Sequence, residues 1–315
     1  MKILVGYTGF VGGNLHAQTT FDAVYNSKNI KDAYNTAPDL LVYCGVRAEK
    51  FIANQNPQAD LEHIKEAMQN IAMIKARKVV LISTIDVYAH PQKVSEATPL
   101  DTHEDDMSVY GRHRLRLEEW VKQNTPSSHI VRLPGLFGQG LKKNFIYDYC
   151  HPVPAKLSKG IYCSLSPQSS SILGAYTYNE NTQFYDLNLI ASQNEMKELE
   201  NAFKGVGFSS LSFTDSRSIF QFYPLSRLWK DLSTVLAFNL PMINLATEPI
   251  GIAELYHALT QKTFTNEVAR TVPHYDFQTL YAHHFGAKGP YMMTKENIIT
   301  AIKDYVEAYH ENSHL

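Results

Sequence analysis

The chain has 315 residues, a formal net charge of −2, and 44% hydrophobic against 19% charged residues, so it can bury one large core or two smaller ones without disulfide help. That composition excludes a disordered or fibrous chain, and the scattered lysines and arginines offer no basic face for the phosphate neutralisation on which nucleic-acid binding depends. The 3 cysteines, Cys44, Cys150 and Cys163, lack CxxC spacing and are odd in number, which suits reduced thiols of a cytoplasmic protein.

Along the first 140 or so residues, short β-rich runs alternate with longer amphipathic stretches, the pattern of a parallel sheet covered by helices. Strands are expected over 2–5, 22–25, 40–44, 79–83 and 129–133, and helices over 11–18, 60–76 and 110–123. The link between the second and third strands is short, so one helix of the doubly wound unit is expected to be missing or reduced. The glycine-rich turn after the first strand interrupts the apolar N-terminal run before it reaches the length of a signal or membrane-spanning segment.

Regularity fades from about residue 141, and 158–218 is rich in Ser, Tyr, Asn and Gln, with one helical segment near 194–204. Order returns with FYPLSRLWKDLSTVLAF at 222–238, then a strand and turn in INLATEP, a helix opening near Ile250, and a closing amphipathic helix over 295–310. Of the 13 histidines, His310 and His314 have HExxH spacing in HENSH, but that run lies past the closing helix expected over 295–310, so the spacing falls on no clear helix and no metal site is expected.

The turn GYTGFVG sets Gly6, Gly9 and Gly12 directly after the first strand and at the opening of the first helix, the context a dinucleotide fingerprint requires. Glycine there permits a tight turn, an unobstructed backbone beside a pyrophosphate, and close packing of helix on strand, with the helix N-terminus facing the anion. The spacing is GxxGxxG in place of the usual GxGxxG. Where a carboxylate would normally meet the ribose hydroxyls, at the end of the second strand, stand Asn26, Ser27 and Lys28. These do not repel a 2′-phosphate, and Lys28 attracts one, which tilts the expectation toward NADP over NAD.

Ser83 and Thr84 of STIDVY fall at the carboxyl end of a sheet strand, the edge where doubly wound sheets bind ligands, and SVYGRHRLRLEEW then opens a helix with Tyr110. This pairing resembles the NAD-dependent epimerase/dehydratase family of extended short-chain dehydrogenases/reductases, whose members act mostly on nucleotide sugars. The resemblance implies an α/β fold: a doubly wound Rossmann domain (1–145 plus about 218–248) and a smaller C-terminal substrate-binding α/β domain (about 146–217 plus 249–315). It implies NAD or NADP as cofactor, held by Gly6, Gly9, Phe10, Val11 and Gly12 of the turn, by Asn26, Ser27, Lys28, Cys44 and Gly45, and by Tyr110 and Arg114. Thr84 would hydrogen-bond the reacting hydroxyl or carbonyl, and Tyr110 would be the acid/base.

A tyrosine with its ordinary pKa near 10 is a poor base at neutral pH and needs a fixed cation beside it. The family supplies a lysine one helical turn on; here the position is Arg114, always charged and on the same face. Three readings stay open: a site adapted to arginine, with the tyrosine pKa depressed by it; a site that has lost its chemistry; or service by Arg112 or Arg116. Asp86 stands where the family's dehydratases carry a glutamate, but their adjacent aspartate is Ile85, so dehydration is less expected than epimerisation or reduction.

The resemblance extends to HIVRLPGLFGQG, where Arg132, Phe137 and Gly138 match and Gly135 replaces an asparagine, and to INLATEPIGIAEL, where Asn244, Glu254 and Leu255 match. It implies substrate contacts at Asp86, Val87, Tyr88 and Asn144, a nucleotide-sugar substrate, no membrane or nucleic-acid partner, and a homodimer. Nothing nameable matches 158–217, whose Tyr176, Tyr178, Phe184 and Tyr185 are equally open to stacking on a ligand or to packing a core. Set against an epimerase or reductase are a dehydratase and a catalytically silent NAD(P)-binding sensor.

Overall fold

A computed structural model describes residues 1–101 and 106–313. The central sheet is built from β1 (Lys2–Val5), β2 (Ala23–Tyr25), β3 (Leu40–Tyr43), β4 (Val79–Thr84) and the later strands Ser128–Leu133 and Met242–Asn244. All neighbours pair in parallel, in the spatial order Met242–Asn244, Ser128–Leu133, β4, β3, β1, β2. The chain therefore leaves β1 toward β2 on one side and returns to β3 on the other, which makes the carboxyl ends of β1 and β3 the point where a parallel sheet opens a ligand crevice.

Period-two alternation explains why this sheet is covered on both faces. Ile3, Val5, Leu41, Tyr43, Val79 and Leu81 turn to a core shared with α3 (Pro57–Ile74) and α4 (Val109–Asn124). Their neighbours Leu4, Val42, Val80 and Val131 turn to the opposite core, shared with α1 (Phe10–His16) and the helix Leu228–Ala237. Between β2 and β3 only a 3-10 turn, Ile30–Ala33, remains of the expected helix. Helix α3 begins earlier than its apolar pattern, because Asn56 caps it through a bond from Ala59 N and Pro57 takes the first turn, where its missing N–H is harmless. It ends at Ile74, where Lys75 turns left-handed.

Contacts divide the chain into two compact units, Met1–Leu141 with Ile219–Ile250 and Pro273–Ile302, and Lys142–Ser218 with Gly251–Val272 and the chain from Lys303 onward. The segment 273–302, expected with the C-terminal domain, thus belongs to the first unit. Two features hold it there: Asp276–Phe277 pairs with Gln92–Val94, and the buried Gln221 accepts from Phe277 N at 2.9 Å and donates to Phe277 O at 2.8 Å. In the second unit a three-stranded antiparallel sheet, Lys156–Ser158, Phe184–Leu187 and Tyr176–Asn179, packs with the helix Gln193–Gly205 around Leu157, Ile172, Leu199 and Phe203. Tyr176 is core, its hydroxyl donating to Pro154 O at 2.6 Å; Tyr185 stacks on Tyr162 at 3.8 Å, and Tyr178 and Phe184 are partly exposed.

Beneath the carboxyl edge of the first unit runs a buried polar network. Arg132 donates to both carboxylate oxygens of Glu118 and, at 2.8 Å, to the Tyr88 hydroxyl, while Ser83 donates to Glu118 at 2.5 Å. Asn244 joins Tyr88 to the Gln278 carbonyl. Arg132 and Glu118 are 1% and 0% exposed, so removing one charge strands the other in a low-dielectric interior. Glu118→Ala is expected to cost about 3–5 kcal/mol in urea unfolding, with most of it recovered in Glu118→Leu/Arg132→Met; a loss below about 1 kcal/mol would contradict this account.

Candidate active site

The site is assembled from loops at the carboxyl ends of β1, β3 and β4. After β1 the chain turns at Gly6 with φ +91°, a left-handed conformation, and a Cβ there would come within 2.7 Å of the Cys44 carbonyl. Gly6 N donates to Tyr25 O at 2.7 Å and Gly9 N to Gly6 O at 3.0 Å, fixing the turn. At Gly12 a Cβ would overlap the Gly6 carbonyl, so α1 can press on the turn only through glycine. Gly9 itself is exposed, with no side chain of its own over the backbone. A bare, tightly wound backbone at a sheet switch point fits the pyrophosphate of a dinucleotide.

Around it, Phe10, Val11 and Cys44 are partly buried against the sheet core, and a side chain at Gly45 would press on Val5 and Tyr43 at 3.1 Å. At the end of β2, Asn26 N donates to Asn29 Oδ1 at 2.8 Å and Asn26 Oδ1 accepts from Lys28 N at 2.9 Å, a turn that leaves Ser27 and Lys28 exposed.

On the β4 side, Thr84 ends the strand and its hydroxyl accepts from Asp86 N at 3.2 Å, opening the 3-10 turn Ile85–Val87. Helix α4 meets this turn closely: a Cβ on Gly111 would overlap the Asp86 carbonyl oxygen. That approach sets Tyr110 beside the end of β4, where the Thr84 hydroxyl is among the groups acting on its phenol. Ser108 caps the helix by accepting from Gly111 N at 3.1 Å. From α2 (Lys50–Gln55), Asn54 Oδ1 accepts the Tyr110 N–H at 3.1 Å.

Arg114 behaves differently from the expected phenolate stabiliser. Its guanidinium lies over the Tyr110 ring, 3.9 Å from the centroid, and donates at 2.5 Å both to Asp60 Oδ2 and to the Arg47 carbonyl. Asp60 also holds His113 Nδ1 at 2.8 Å. Burial pushes the Tyr110 phenol above its ordinary value of 10; Arg114 pulls it down, Asp86 pushes it up, and Lys50 and the Thr84 hydroxyl pull it down, yet burial prevails. The expected net depression by arginine is therefore not found, because its charge is shared with Asp60 and it faces the ring. Arg116 is exposed, and Arg112 donates to Met107 O.

Two expected substrate contacts fall elsewhere. Val87 is 0% exposed and Tyr88 4%, with the Tyr88 hydroxyl donating to Ser95 O at 2.9 Å and tied to Arg132 and Asn244, so both are core. The 3-10 turn Ile85–Val87, invisible in the sequence pattern, sends both inward. Asn144 caps the helix Phe145–Cys150, accepting from Ile146 N and Tyr147 N. Asp86 stays at the site, 2.8 Å from Lys50 Nζ.

Sequence reasoning missed Lys50, Asn54, Asp60, His113, Gly111 and Tyr275, which faces Lys50 and Asp86. Only Gly111 carried a signal, a glycine inside a helical pattern.

Residues 1–151 match the family described as the RmlD substrate binding domain. No curated protein matches the sequence. Solved structures with this fold include dTDP-4-dehydrorhamnose reductase from Yersinia enterocolitica (14% identity over 98% of this chain and 99% of that one, TM-score 0.61). They also include UDP-glucose 4-epimerase from Thermotoga maritima with UDP-glucose (11%, 100% and 100%, TM-score 0.60). A third is TunA, an NAD-dependent NDP-hexosamine 5,6-dehydratase (13%, 97% and 97%, TM-score 0.59). At such identities the likeness is one of fold, a Rossmann-type parallel sheet covered by helices.

If the contact of Gly111 with the Asp86 carbonyl sets the position of Tyr110, Gly111→Ala must displace one of them. The expected cost is about 1–3 kcal/mol in chemical unfolding, with loss of any activity that depends on Tyr110; a variant of unchanged stability would refute the close approach.

Proposed function

We propose that this protein is an NAD(P)-dependent enzyme that epimerises or reduces a nucleotide-activated sugar, with Tyr110 as acid/base and Thr84 polarising the reacting oxygen. The observation that carries the reading is the close approach of α4 to the turn after β4, which sets Tyr110 beside Thr84 at the carboxyl end of β4, in the same unit as the glycine turn. The solved structures of like fold include an NAD-dependent enzyme and one holding UDP-glucose.

Bound at the turn, NAD(P) would accept or return the hydride. The chain's part is proton handling and orientation. Thr84 and Tyr110 hold the sugar oxygen; on reduction the neutral Tyr110 phenol gives its proton to the carbonyl oxygen and is left as phenolate, and on oxidation the phenolate takes the carbinol proton back. A raised phenol pKa keeps Tyr110 protonated at neutral pH, which suits the reducing direction. Dehydration finds less support: Ile85 is 5% exposed in the position of an acid, and Asp86 is paired with Lys50.

A second reading, a silent NAD(P)-binding partner protein, draws on Arg114, whose hydrogen bonds to Asp60 and Arg47 occupy a group that a lysine would turn elsewhere.

Proton NMR of the protein with NADP or NAD and a panel of nucleotide sugars in deuterated water separates the two. Conversion of one sugar is expected, and Tyr110→Phe should lower turnover by about two orders of magnitude or more with cofactor affinity unchanged. A Tyr110→Phe variant with full turnover would sink the assignment. Cofactor choice rests on Lys28: we expect Lys28→Ala to weaken NADP binding by up to about 1 kcal/mol in calorimetry and to leave NAD binding as it was. Equal losses for both cofactors would remove the NADP preference.

A further inference from the structure

Helix α2 carries a second cation to the site. Its first residue, Lys50, sets its ammonium 2.8 Å from Asp86 Oδ1, and Tyr275 is the titratable group that faces both partners. The same helix is fastened to the catalytic helix by Asn54, whose side chain accepts the Tyr110 N–H at 3.1 Å. Asp86 is in turn fixed by its own N–H on Thr84 Oγ1 at 3.2 Å. Lys50 is thus paired with the residue bonded to Thr84 and carried on the helix bonded to Tyr110, whereas Arg114 lies over the Tyr110 ring and spends two donors on Asp60 and Arg47.

We infer that the work of the single lysine expected on the tyrosine helix is divided here: Arg114 backs the ring of Tyr110, and Lys50, a positioning residue, supplies the ammonium that tunes its phenol oxygen. This rests on the reading of Tyr110 as the acid/base. The charged and titratable groups facing Tyr110 are Arg114 from its own helix, Asp86 from the turn after β4, and Lys50 from α2. Those facing Lys50 are Asp86, Tyr275 and Tyr110. Burial works against the Lys50 ammonium, but these three oxygens more than offset it and hold the group charged. Asp86 opposes Lys50 at Tyr110, so the pair acts as an adjustable charge: the phenol is easier to ionise when Lys50 dominates and harder when Asp86 does.

The test reads Tyr110 directly. In protein carrying tyrosine labelled with carbon-13 at Cζ, with the Tyr110 resonance identified by its loss in Tyr110→Phe, the phenol is titrated into the alkaline range. Lys50→Met is expected to raise the Tyr110 midpoint by about one unit, and Lys50→Arg to leave it near the wild-type value. Asp86→Asn should move it the other way. In kinetics the limb of the pH profile assigned to Tyr110 shifts to higher pH in Lys50→Met with cofactor KM unchanged. An unmoved midpoint in Lys50→Met, or a Tyr110 that stays neutral throughout in the wild type, overturns the proposal. The titration needs no turnover, so it fails separately from the enzyme assignment, which Tyr110→Phe activity decides.

Discussion

The contact on which the site depends is the approach of α4 to the turn after β4, close enough that Gly111 has no room for a side chain beside the Asp86 carbonyl. One turn of helix and one strand end are thereby locked in register, and Tyr110 meets Thr84. Farther along the same helix, Glu118 repeats the tie by accepting from Ser83 and holding Arg132. A helix pinned to one strand by a backbone contact at its start and a buried charge network at its middle has little freedom to rotate, and catalytic geometry requires that rigidity.

Burial that gives the site its rigidity also sets its electrostatics. Tyr110 is 6% exposed, and desolvation disfavours its phenolate more than the surrounding cations favour it. A long, planar arginine in the lysine position cannot approach the phenol oxygen from the helix above; it stacks on the ring and finds Asp60 beneath α3. Cation and tyrosine remain together, but by the ring face, and the oxygen edge is left to a group from another element.

Several features were legible in the chain. Short, continuously apolar runs set between amphipathic stretches pointed to the parallel sheet and both its cores, because a strand buried on two faces must be apolar on both. The glycine spacing after β1 marked the turn, because only glycine tolerates φ +91° and the crowding at Gly12. Thr84 and Tyr110 were readable as a pair through the likeness of their flanking motifs, and the reduced helix between β2 and β3 through the shortness of the link.

Tertiary structure alone decided the rest. Lys50, Asn54, Asp60 and Tyr275 are far from Tyr110 in sequence and lie in segments whose local patterns announce nothing; parallel crossovers bring their loops to one edge of the sheet. Val87 and Tyr88 lie close to Thr84 in sequence, yet the 3-10 turn swings them into the core. Local periodicity specifies which face of an element is apolar, whereas the partner of a buried charge is chosen by desolvation in the assembled fold. The residue type at position 114 was therefore fixed by the sequence, but its partners, Asp60 and the ring of Tyr110, only by folding.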